Sequence, residues 1–306
     1  MRILGFRLPK ALHVSMPRQS AGDMVFEAAN AAVLLLLAGA TLFPFLYIIS
    51  VSVTPLEELA RYGSFQIIPK RATIDAYLFI LRQQLIPRAF MNSLVISGAG
   101  TAINLVLTTL LAYPLSLREL PFRRSWLIFV LVPMIFSGGI IPLFLLVKGL
   151  GMIDTIWSLV LPGAVSTYYL LIMRNFFQAL PGELSESAFM DGANHFTIFL
   201  RIILPLSSSV MATMALFYAV GHWNGFFSAL MFINDQDKKP LQVILRDVLM
   251  NSLRDEGRDI LEQFELLPGQ TLKMAAVVIS VAPLLAVYPF VQKYFTKGVL
   301  IGSVKG

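Results

Sequence analysis

The sequence predicts an all-α membrane protein with six transmembrane helices. Of its 306 residues 57% are apolar and only 14% charged, with a mean hydropathy of +0.73. A soluble domain carries about 25% charged residues, so this chain cannot clothe a water-soluble surface. Six long stretches contain no Asp, Glu, Lys or Arg, and a helix crossing about 30 Å of hydrocarbon needs around 20 mostly apolar residues. Proline and glycine lie inside those stretches, as they do in bundles whose neighbouring helices satisfy the freed carbonyls. A soluble enzyme and a disordered chain are both excluded.

The charge-free stretches are Ala28–Val53, Met91–Leu117, Ser125–Val147, Thr155–Met173, Ile202–Asn234 and Met274–Gln292. The first starts after 27 residues and is too long for a cleavable signal peptide. The fifth, at 33 residues, exceeds one straight span. Gly221, Trp223, Asn224 and Gly225 interrupt it, which predicts a span ending there and a short interfacial or re-entrant segment over Phe226–Ile233. Pro44, Pro114, Pro133, Gly138, Gly139, Pro142, Pro162 and Pro283 predict bent helices. The expected organisation is an N-terminal segment 1–27, a membrane domain 28–292 and a tail 293–306. Six spans place both termini on one side.

Lysine and arginine counts do not by themselves choose that side, since each side holds 12. Arg118, Arg123 and Arg124 crowd one very short loop, and the tail has lysines without acids. The opposite loop Asp235–Glu265 has eight acids against five bases. These local signals put both termini in the cytoplasm. The net charge of +6 then belongs to a cytoplasmic membrane face in contact with lipid, not to nucleic acid. There is no cysteine, which removes disulfides and thiolate metal sites. The only side chain in the six runs that titrates near neutral pH is His222, at a span end. Ion-driven carriers usually hold ionisable groups near the midplane, so the pattern argues against a self-powered transporter.

The loop Pro181–Pro205 carries the most information. Pro181 can open a helix at no hydrogen-bond cost. Glu183 and Glu186 suit its first turns, and Asp191-Gly192 stops it, with Gly192 fit for the left-handed position past the end. Phe196, Phe199, Leu200 and Ile203 then recur at helical spacing. Two short helices joined by a glycine corner result. Such an object can seat in a partner's groove or lie on the bilayer.

Glu186-Ser187-Ala188, three residues, Gly192, nine residues, Ile202, one residue and Leu204-Pro205 resemble the EAA pattern of ATP-binding-cassette (ABC) importer permeases. Ser187 in place of the usual Ala is the one departure. Further stretches are similar to the second permease subunit of maltose-type carbohydrate importers, in the branch placed with polysaccharide-fragment and uronate-oligosaccharide uptake. They include Asn92-Ser93-Leu94, Ala112-Tyr113-Pro114-Leu115-Ser116, Phe136-Ser137-Gly138-Gly139, Val220-Gly221-His222-Trp223-Asn224 and Gly302-Ser303-Val304-Lys305-Gly306.

That resemblance implies a type I ABC importer permease in a bacterial inner membrane, importing sugars or oligosaccharides. It implies a second permease subunit, two ABC ATPase subunits and an extracytoplasmic solute-binding protein as partners. It assigns Glu186 a charge contact with the ATPase, Asp191 and Gly192 the corner, Ser187 and Ala188 the docking helix, and Ile202, Leu204 and Pro205 an apolar seat. Lys297–Gly306 would reach the ATPase interface. No GxxxxGK[ST] phosphate loop is present, so this chain should bind no cofactor; ATP and Mg²⁺ belong to the partner. Trp223, Asn224, Phe226 and Phe227 suit either contacts with sugar or an aromatic belt at the membrane surface. An importer of non-sugar solutes and an ion-coupled carrier remain the competing functions.

Overall fold

The computed structural model describes residues 21–55, 58–59, 68–82, 84–250 and 269–303, the side chains of 21, 269 and 290–303 excepted. Segment 1–20, most of the acid-rich loop (251–268) and the last three residues of the tail lie outside them. Contacts divide the chain into residues 1–47 and 48–306.

In the first unit, the described residues belong to helix α1, Ala21–Ser52, which carries Pro44 and runs on into the second unit. Val33 and Leu34 to Leu37 are all more than half exposed. A helix apolar all round and this long suits hydrocarbon.

The second unit is assembled on α3, Leu85–Ser116, preceded by the short α2, Asp75–Arg82. One face of α3 is buried: Ile86, Ala89, Ser93, Ser97, Gly100, Asn104, Thr108 and Ala112 follow one another at three- and four-residue steps. Small residues at that spacing let neighbouring helices approach closely. Helices α7 (Thr167–Ala179) and α11 (Ser208–Asn224) pack along this face. Helix α14, Gly269–Ser303, packs on α11 in turn. Among the described residues there is no strand.

The third charge-free run is not one rod. It divides into α4 (Arg123–Ile135) and α5 (Ile140–Gly149), which meet at 110°. The break falls at Phe136–Gly139, where Gly139 has φ +84°, a region open chiefly to glycine. The fourth run also divides, at Pro162-Gly163. One turn, α6 (Trp157–Val160), precedes it, and α7 starts only at Thr167. Within the fifth, the main helix ends at Asn224 as expected, followed by the short α12, Phe227–Phe232. Helix α14 continues without a break into the expected tail, as far as Ser303.

Candidate functional site

At the end of α7 the backbone turns through Leu180 and Pro181 into α8, Gly182–Met190. Helix α8 closes in a Schellman motif. Ala193 N donates to Ala188 O at 2.9 Å and Gly192 N to Phe189 O at 3.0 Å, while Gly192 sits at φ +81°. Asn194 restarts the chain, its side-chain oxygen accepting from Thr197 N at 2.9 Å, which caps α9, His195–Ile198. A π-helical turn, Phe199–Ile203, and the short α10, Leu204–Leu206, lead to an 80° bend before α11.

The corner is anchored from inside. Ile198, Phe199 and Ile203 are buried in one cluster with Ala112, Tyr113, Leu170, Met173 and Phe177. The rings of Tyr113 and Phe199 stand 5.1 Å apart, and those of Phe189 and His195 4.9 Å apart at a steep angle. The expected apolar stripe is therefore split. The wider π turn carries Phe199 and Ile203 inward, leaving Phe196 and Leu200 exposed. Ile202 and Leu204, expected as part of a partner's seat, lie half-buried against this same cluster. They hold the corner to its own bundle; Pro205 is exposed.

Outward, the corner offers Glu183, Glu186, Ser187, Met190, Asp191 and Phe196, all exposed, Met190 at 88%. Ala188 is the inward member of its motif and packs on the cluster. Among the described residues the Glu186 carboxylate has neither an ion pair nor a hydrogen bond. An apolar groove of about 530 Å³ opens beside the corner, lined by Leu110, Tyr113, Leu117, Leu120, Phe196 and Phe199 among others.

The opposite end is held by polar contacts. Asp154 Oδ1 accepts from Asn234 N at 2.6 Å and Asp235 N at 2.8 Å, and Oδ2 from Asn234 Nδ2 at 3.3 Å. The Asp235 N–H above all, with the Asn234 donors and Lys238, holds the Asp154 carboxyl below the ordinary carboxylate value. Asn92 donates to Asp237 O at 2.8 Å, and Ser93 Oγ accepts from Leu241 N at 2.8 Å. Asn92 and Ser93 therefore pin this loop and the start of α13, Leu241–Met250.

These features can be compared with known proteins. Residues 85–301 match the model of the family described as binding-protein-dependent transport system inner membrane component. The chain belongs to that family. Among its relatives, Protein LplC of Bacillus subtilis is 47% identical across 92% of this chain and 95% of its own length. The polygalacturonan/rhamnogalacturonan transport system permease protein YtcP of the same organism is 42% identical across 93% and 99%. A chain of a bacterial ABC transporter involved in the import of the acidic polysaccharide alginate superposes with a TM-score of 0.85 at 29% identity, covering 92% of this chain and all of that one.

In this inner membrane permease, the aromatic group foreseen on α11 and α12 is divided. Trp223 is buried, its Nε1 donating to Ser280 O at 3.0 Å and its ring set edge-on to Phe90. The α11–α14 core thus takes up that side chain, and it presents no surface to a solute. Asn224, Phe226 and Phe227 remain exposed.

A polar seam escaped the sequence reading. Ser97, Thr101, Asn104 and Thr108 share one face of α3. Asn104 Nδ2 meets His222 Nε2 at 3.0 Å, and Thr108 Oγ1 meets Tyr218 Oη at 2.7 Å. The spacing of four, three and four was visible in the sequence; the facing residues of α11 were not.

Proposed function

We propose that this permease forms the membrane pathway of an ATP-driven oligosaccharide importer together with a second permease subunit. Two ATPase subunits bind the coupling helices of the two permeases, the corner at residues 181–205 among them, on the cytoplasmic side, and an extracytoplasmic binding protein delivers the sugar. Both termini are cytoplasmic in this reading. ATP and Mg²⁺ act on the ATPase subunits, whose closure pulls the corner and reorients the pathway.

One observation carries the reading: an acid, Glu186, exposed and unpaired among the described residues, on a short helix whose glycine end is fixed to the bundle core. A charge displayed on a rigid mount suits transmission of force to a neighbouring subunit. The names of YtcP and of the alginate importer support a carbohydrate cargo. Proteoliposomes holding the full assembly test this. Uptake of a pectin-type oligosaccharide should require ATP and binding protein, and should survive collapse of ion gradients. Uptake abolished by ionophores with ATP present would reject the reading.

A further inference from the structure

Two arginines close the end of α3 that lies beside the corner. Arg123 Nε and Arg174 Nε each donate to Leu115 O at 3.2 Å, so the two like-charged groups share one acceptor. The carbonyl end of a helix carries roughly half a negative charge, so two guanidiniums leave an excess of positive charge there. Arg174 also donates to Asn175 Oδ1, a neutral oxygen, at 2.8 Å. Arg123 Nη2 is buried with no acceptor.

Among the described residues neither arginine forms an ion pair, and Glu119, the acid of the intervening loop, forms none either. Arg174 lies beyond the charge-free run, and burial, then the neighbouring Arg123 charge, holds its guanidinium below the usual arginine range. Desolvated like charges are unfavourable until an anion neutralises them. Exposed Arg118 and Arg124 add to the field.

The surface next to this pair is apolar. Helix α4, which begins at Arg123, has no buried residue. Phe122 is 81% exposed, Trp126 53% and Phe129 71%. A soluble anion has no use for such a flank, whereas a phospholipid joins a phosphate to acyl chains that would run along it. We infer that Arg123 and Arg174 form a binding site for the phosphate of an anionic phospholipid whose chains lie on α4. Because α7 bears Arg174 and leads directly into the corner, a lipid bound there steadies the helix that carries the coupling loop. The site needs only the membrane placement given by the family, not the orientation proposed above.

Native mass spectrometry of the full-length chain, titrated with phosphatidylglycerol, phosphatidylcholine or inorganic phosphate, tests the site. Wild type should retain phosphatidylglycerol over phosphatidylcholine, and inorganic phosphate should not displace it. The Arg123→Gln/Arg174→Gln variant should retain about tenfold less phosphatidylglycerol, the effect of losing one charge-assisted contact. Arg118→Gln/Arg124→Gln should stay within about twofold of wild type, because exposed charges count for little. Equal retention of the two lipids by wild type overturns the proposal, and so does unchanged retention in the first variant. Displacement by phosphate would reassign the site to a soluble anion. If the first variant aggregates, the wild-type lipid comparison and Arg174→Lys, which keeps the charge and should keep the preference, decide.

Discussion

Gly192 turns the corner with φ +81° and nothing within 4 Å of a would-be Cβ. Space is not the constraint there; backbone conformation is. Valine should cost about 1–3 kcal/mol of local strain and depress uptake, whereas Gly192→Asn, which tolerates this region, should retain more of it. Equal uptake by the two variants would show that the positive φ is dispensable. Glu186→Lys should leave membrane insertion intact and remove the ATPase on co-purification, since the charge pair proposed with the ATPase would be buried in that interface and breaking such a pair costs roughly 3–5 kcal/mol. At the other end, Asp154 has a depressed carboxyl value. Its contribution is therefore complete above the unfolded value of 3.8 and fades as pH falls through the lower folded value. The thermal midpoint of Asp154→Asn should lie below that of wild type at neutral pH, with the gap narrowing in acid. A gap that widened in acid would contradict the sign.

At the scale of helices, α3 and α11 fit by omission. A Cβ on Gly100 would come within 2.6 Å of His222 Nε2, and that ring is held by Asn104. Gly100→Ala should destabilise by about 1–3 kcal/mol through overpacking, and His222→Ala in the same chain should recover part of the loss. Strictly additive denaturation free energies would refute that contact. The same scale shows what the sequence could reveal. The end of α8 was legible because Asp191-Gly192 is a local signal whose meaning does not depend on distant residues. Asn194 was equally local, a cap before the first apolar position, and could have been read. The 110° break at Gly139 was hidden, because a charge-free run reports its medium and not its direction. Trp223 was hidden for a related reason: composition placed it at a span end, but only the Ser280 carbonyl on α14 decides that it points inward. Ile202 and Leu204 fit the motif's spacing, yet the π turn set which way they face.

For the whole molecule, the account divides the work. In the proposed importer the chain supplies helices, bends and a rigid handle, and other subunits supply the energy. The central claim is that the handle faces the cytosol and is gripped there. The chain has no cysteine, so Met190→Cys places a single thiol at a site 88% exposed. A membrane-impermeant maleimide should label it in inside-out vesicles stripped of peripheral subunits, and not in intact spheroplasts. Rebinding the ATPase should suppress the labelling. Labelling from the outer face, or labelling indifferent to the ATPase, would contradict the account.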